Sequence, residues 1–198
     1  MSSHPPPLSD YWHFFVGFLR RPRTVGAVAP SSPQLSEVIL EDCDLYNARV
    51  VVELGAGTGA ITSVIRERIG PRTDFLALEI DTQHVARLRD RFPDVRVCDE
   101  SAEFLGDCLA RHGHASADCI VCGLPWASME RPTQDRIMEQ ILATLKPGGQ
   151  FCGFGYVHAS WHPSARAFRR ALRDNFPYVR ISSIVWRNLP PAFAYSCL

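Results

Sequence analysis

The sequence predicts an α/β domain: an open, mostly parallel sheet of seven strands with helices on both faces. Three observations carry this. From residue 48 onward, short β-branched or apolar runs alternate with stretches of helical spacing. A glycine-rich turn, Gly55-Ala56-Gly57-Thr58-Gly59, stands between the first run and the first helix. An acidic residue, Glu79, closes the second run about 20 residues later, a spacing met where such sheets bind a nucleotide at their carboxyl edge.

The elements follow in order. Residues 50–54 form the first strand, and the helix after the turn runs to about Ile69, where Gly70-Pro71 stops it. Residues 75–80 are a second buried strand. Asp81 or Thr82 caps the next helix, which places Val85 and Leu88 on one face. Residues 95–97 make a third strand, and Phe104, Leu105, Cys108 and Leu109 form a helical stripe. Residues 119–122 are the fourth strand. Pro132 suits the first turn of a helix carrying Ile137, Ile141, Leu142 and Leu145 inward. Lys146-Pro147-Gly148-Gly149 turns the chain into a fifth strand, 150–157; Pro163 opens a further helix, and 179–185 and 192–197 close the sheet.

At 198 residues the chain supports one core, not two. Its net charge is zero, so the whole molecule advertises no polyanionic partner and nucleic acid is not expected. Charge is nevertheless uneven. Residues 1–35 carry Arg20, Arg21 and Arg23 against Asp10 alone, and from residue 161 six arginines face only Asp174. Two basic ends form one basic face if the fold brings them together. The seven cysteines sit mostly in apolar runs and no basic-then-apolar leader precedes them, which reads as reduced thiols in a cytoplasmic protein. Cys119 and Cys122 have zinc-knuckle spacing, but a strand turns them to opposite faces and no second pair follows, so no metal is expected.

The glycine turn lets a ligand approach bare backbone, and the helix after it offers unpaired N–H groups to an anionic end. Gly55-x-Gly57-x-x-Ala60 also satisfies a dinucleotide fingerprint. Glu53 discriminates between the two: a carboxylate at that strand end needs donors, and the amine of a methionine-type cofactor supplies them. Glu53-Leu54-Gly55-x-Gly57-x-Gly59, Glu79 and Leu145-Lys146-Pro147-Gly148-Gly149 together resemble class I S-adenosylmethionine-dependent methyltransferases. The resemblance implies a Rossmann-like fold with that cofactor. It further implies contacts from Glu53, Gly55, Ala56, Gly57, Thr58 and Gly59, from Glu79 to the ribose and Ile80 beside it, and from Gly123 and Leu124 after strand four. At the end of strand three, Cys98-Asp99-Glu100-Ser101-Ala102, a polar side chain is expected on the adenine amino group: Ser101 with Ala102 behind it, or Asp99.

Gly123-Leu124-Pro125-Trp126 occupies the usual place of substrate chemistry. Methyltransferases acting on adenine use Asn-Leu-Pro-Tyr-like sequences there, and glycine removes the amide acceptor. Asn188-Leu189-Pro190-Pro191 is similar in letters but lies between the last strands. The N-terminal Tyr11-Trp12-His13-Phe14-Phe15-Val16-Gly17-Phe18-Leu19, followed by Arg20-Arg21-Pro22-Arg23, reads as a short amphipathic helix with a basic end. Such a helix lies in a membrane interface or covers the cleft. The opening segment from Phe18 to Ser32, Gly123-Leu124-Pro125, Phe154-Gly155-Tyr156 and Val185-Trp186-Arg187-Asn188-Leu189-Pro190-Pro191-Ala192 resemble bacterial phospholipid N-methyltransferases, a family similar to ribosomal RNA adenine dimethyltransferases.

That resemblance covers nearly the whole chain from residue 11. It implies stepwise conversion of phosphatidylethanolamine to phosphatidylcholine, or methylation of a related amino lipid. The protein is then peripheral on the inner membrane face, with anionic phospholipids as partners. It also divides the chain into a substrate and membrane segment, 1–35, and a methyltransferase domain, 36–198. Tyr156, Trp126 and Tyr11 become candidates to face the developing ammonium, His158 to accept a proton, and Arg20, Arg21 and Arg23 to hold a lipid phosphate. A small-molecule acceptor, with the N-terminal helix as lid, and an RNA adenine remain the alternatives.

Overall fold

Val50–Leu54 (β1) is buried along its whole length because parallel strands flank it on both sides, β2 (Asp74–Glu79) and β4 (Ala117–Cys122). These coordinates are a computed structural model that describes residues 31–198. The expected N-terminal helix, Tyr11, Arg20, Arg21 and Arg23 lie outside the described residues. The remaining strands are β3 (Arg96–Asp99), β5 (Leu145–Tyr156), β6 (Val179–Ile181) and β7 (Ala192–Cys197). The sheet has the order β3-β2-β1-β4-β5-β7-β6, and β7 alone runs against its neighbours.

Alternation along the strands sorts side chains to two faces. Val50, Val52 and Leu54 join one core with Leu105 and Leu109 of α4 (Leu105–Arg111), Ile137 and Ile141 of α5 (Arg131–Thr144), and Phe168 and Leu172 of α6 (Pro163–Asn175). Val51 joins the other with Leu35 and Ile39 of α1 (Pro33–Ile39), Ile61 and Ile65 of α2 (Ala60–Arg68), and Leu88 of α3 (Thr82–Arg91). Asp81 caps α3 by accepting from the N–H groups of Gln83 at 2.9 Å and His84 at 3.2 Å. Among the described residues no helix is long and apolar enough to cross a membrane.

Three expectations change. The last parallel strand stops at Ile181, not 185, because Ser182 Oγ accepts the Ala194 N–H at 2.9 Å in place of a backbone carbonyl; pairing resumes only at the Val185–Ala192 bridge. β5 already begins at Leu145, and the Lys146–Gly149 turn is a bulge within it: Ala117 pairs with Leu145 but Cys119 with Gln150. The cysteines are not all free thiols. Cys98, near the end of β3, and Cys108, in α4, are joined as a disulfide where the two elements pack together. Cys119 and Cys122 do fall in opposite cores.

Candidate functional site

The carboxyl ends of β1, β2 and β4 meet at one edge, and their last residues build the first half of the site. Glu53, next to last in β1, is wholly buried. Thr62 of α2 donates its hydroxyl to Glu53 Oε2 at 2.6 Å, while Oε1 is buried with no partner. Burial pushes the Glu53 carboxyl up to about 8; the Thr62 bond opposes this and the charge of Glu79 adds to it. An orphaned carboxylate oxygen is costly in such surroundings, so its position calls for a cationic or N–H donor, which no described residue supplies.

The turn after β1 is pinned from below, with Gly55 N–H donating to Leu78 O at 2.8 Å and Gly59 N–H to Ala56 O at 2.9 Å. Gly57 has φ +55°, and a Cβ built there meets nothing within 4 Å, which leaves bare backbone facing open space. Ala56 is buried and Thr58 exposed on either side of it. Gly123, by contrast, is glycine for steric reasons: a Cβ would lie 2.6 Å from Gly55 O. Gly123→Ala is therefore expected to lower the melting temperature by roughly 5 °C through local overpacking. Scanning calorimetry with and without cofactor reads this directly, and a smaller stabilisation by cofactor in the variant is the second expectation.

Glu79 is placed at the expected strand end, but its carboxylate is engaged differently. Oε1 accepts from the N–H groups of Ile80 and Asp81, both at 2.8 Å, and Oε2 accepts from Gly57 N–H at 2.7 Å. One lone pair on Oε2 is left, too few for two ribose hydroxyls unless Gly57 N–H gives way. At the end of β3, Ser101 caps the single turn Ala102–Phe104; its hydroxyl accepts from Glu103 N–H at 3.3 Å and lies 3.3 Å from Glu103 Oε2. Ala102 is in the core and Asp99 is exposed.

The second half is a cleft of about 530 Å³ past the ends of β4 and β5. Its walls are apolar and aromatic: Leu124, Trp126, Phe154, Tyr156, Phe168, Phe193 and Tyr195, with Glu130 the one acidic lining residue. Trp126 stacks on Phe168 with ring centroids 4.0 Å apart. Among the described residues the Tyr156 hydroxyl is buried without a partner, Trp126 Nε1 has only the Cys122 sulfur beside it, and burial pushes the Tyr156 phenol upward. His158 is exposed on the turn Val157–Ala159, its ring centroid 5.6 Å from that of Tyr156. Leu124 belongs to both halves. It lines the cleft, and its Cδ2 lies 2.6 Å from the Cβ position that Gly55 lacks.

The structure thus brings together Glu53, the 55–59 turn, Glu79, Gly123, Leu124, Trp126, Tyr156 and His158. Sequence reasoning missed Thr62, whose signal was a hydroxyl inside the otherwise apolar inner face of α2, and the β7 aromatics Phe193 and Tyr195. It also missed a cluster of thiols on the α1–α3 side of the sheet, where the sulfurs of Cys43, Cys119 and Cys152 lie within 4.8 Å of one another.

The model of a methyltransferase domain matches residues 51–149, from β1 to the bulge in β5. An ornithine lipid N-methyltransferase of Singulisphaera acidiphila is 34% identical over 196 residues, covering 96% of each chain. Among solved structures, the N-methyltransferase NodS of Bradyrhizobium japonicum shares the fold with a TM-score of 0.64 at 14% identity, over 83% of this chain and 91% of that one. Fibrillarin of Aeropyrum pernix, solved with natively bound S-adenosyl-L-methionine, has a TM-score of 0.60 at 14% identity, over 82% and 74% of the two chains.

Proposed function

Because this chain belongs to the class I S-adenosylmethionine-dependent methyltransferases, we propose that it methylates the amine of a lipid head group, that of ornithine lipid or phosphatidylethanolamine. The observation that carries the reading is the junction at Leu124, where a loop suited to the cofactor adjoins an apolar, aromatic cleft. The full-length likeness to an enzyme named for ornithine lipid supports the lipid class.

The residues present fit the cofactor. In this reading the free oxygen of Glu53 holds its amino group, and the bare backbone at Gly57 and Thr58 leaves room for its carboxylate, although Gly57 N–H is bonded to Glu79 and Gly59 N–H to Ala56. Glu79 takes a ribose hydroxyl, and Ile80, Ala102 and either Ser101 or Asp99 border the adenine. When bound, S-adenosylmethionine supplies an electrophilic methyl group on a sulfonium centre.

The chain's own part is positioning and charge. An amine attacks only unprotonated, and its nitrogen gains positive charge as the new bond forms, so the faces of Tyr156 and Trp126 stabilise it by cation–π attraction. The Tyr156 O–H finds no acceptor among the described residues, and a head-group oxygen would satisfy it. His158, exposed beside Tyr156, passes the released proton to water. Tyr11, outside the described residues, is a further candidate for this role from sequence.

Purified protein incubated with methyl-labelled cofactor and vesicles of ornithine lipid or phosphatidylethanolamine tests this. Label is expected in the lipid fraction on chromatography. Label confined to soluble amines or to an RNA transcript would replace the lipid reading with one of those acceptors.

A further inference from the structure

We infer that the rim built from the β5–α6 and β6–β7 connections docks on an anionic lipid bilayer, with Trp161, Trp186 and Leu189 as apolar anchors and Arg166 and Arg187 as phosphate contacts. The inference rests on the lipid reading above and adds where and how the enzyme meets its substrate's membrane.

Trp161, Trp186 and Leu189 are 73%, 70% and 74% exposed, more than any other large apolar side chain among the described residues. Two tryptophans and a leucine held in water at one edge are unfavourable unless something covers them. They share that edge because Tyr156, at the end of β5, pairs with Ala192, at the start of β7, so the chain after the one and before the other leaves on the same side. Val157 N–H donates to Pro191 O at 3.0 Å, which ties the two loops together.

The exposure is braced. Asn188, buried between Trp186 and Leu189, donates to Pro190 O at 2.7 Å and accepts from Ser32 N–H at 2.9 Å, so the loop is held with its apolar residues outward. Asn188-Leu189-Pro190-Pro191, which resembles a base-binding motif in letters alone, is thus the frame of this rim.

Three facts select a bilayer. Trp161 also lines the mouth of the acceptor cleft, so acyl chains of a head-group substrate would leave it among these side chains. Arg187 is exposed between the anchors and Arg166 is exposed in the first turn of α6, a mix of indole and guanidinium suited to the level of lipid phosphates. The bond from Ser32 N–H to Asn188 Oδ1 sets the first described residues of the chain on this rim.

The full-length protein and its Trp186→Ser/Leu189→Ser variant are compared by sedimentation with phosphatidylcholine vesicles with and without phosphatidylglycerol. Partitioning of the variant is expected to fall about tenfold with unchanged melting temperature and cofactor affinity, since neither residue lines the cofactor site or the cleft. Arg187→Gln is expected to lose about fivefold, and only on vesicles containing phosphatidylglycerol. Equal partitioning of variant and wild type overturns the rim, as does a wild-type dimer that the variant abolishes without any vesicle binding, which would make the surface a contact between two copies. The labelling experiment separates the two claims. Vesicle binding that depends on Trp186 and Leu189 in a protein that labels no lipid keeps the rim and removes the lipid substrate. Lipid labelling by a variant that still partitions like wild type does the reverse.

Discussion

Glu53→Gln is expected to bind S-adenosylmethionine about a hundredfold more weakly than wild type, the scale set by removing one charge from a buried pair. The variant keeps an oxygen for the Thr62 hydroxyl, so the fold survives while the charge facing the cofactor amine is lost. The ligand-free wild type carries a signature of the same group. Glu53 titrates near 8, against an ordinary value of 4.5. Between those values the folded protein holds a proton that the unfolded chain has released, so stability falls as pH rises from about 4.5 to about 8 and levels off above.

Gln has no such dependence, and above pH 8 the variant is the more stable protein when empty. Pairing with an ammonium requires the ionised carboxylate. Cofactor affinity of the wild type therefore rises about tenfold per pH unit up to about 8, with release of about one proton below it. Isothermal titration in two buffers of different ionisation enthalpy reads both effects. A flat profile in wild type, or an unaltered dissociation constant in Glu53→Gln, would remove Glu53 from the cofactor site.

Tyr156→Ala is expected to lower kcat by a hundredfold or more with cofactor affinity intact, because it removes the aromatic face from the acceptor side alone. Tyr156→Phe separates ring from hydroxyl. The hydroxyl is buried and without a partner in the empty protein, so deleting it raises the melting temperature by about 2 °C or more while costing roughly tenfold in turnover. A variant that gains stability and loses rate has given up a group kept for substrate. A Phe variant that turns over like wild type would leave only the ring with a function.

The order of elements was legible because each relied on local signals. The buried run Val50–Leu54, the cap at Asp81 and the stop at Gly70-Pro71 need no knowledge of distant residues. Glu53 was legible for a related reason, being a charge inside an apolar run. What escaped depended on contacts between strands remote in sequence. Thr62 looks like an ordinary helix residue until β1 packs beneath it. Phe193 and Tyr195 read only as part of a closing strand, and become cleft wall because β7 inserts beside β5. The end of β6 was misjudged because a side-chain hydroxyl, Ser182 Oγ, captured the N–H that a longer strand would have used. Cys98 and Cys108 count among the expected reduced thiols, since their meeting follows from how α4 folds back on β3.

Leu124 touches the missing Cβ position of Gly55 on one flank and lines the aromatic chamber on the other. The glycine turn and the cleft therefore meet at a single isobutyl group. In the proposed reading, the volume of that one side chain sets how closely a methyl donor at the turn and an amine in the cleft approach each other.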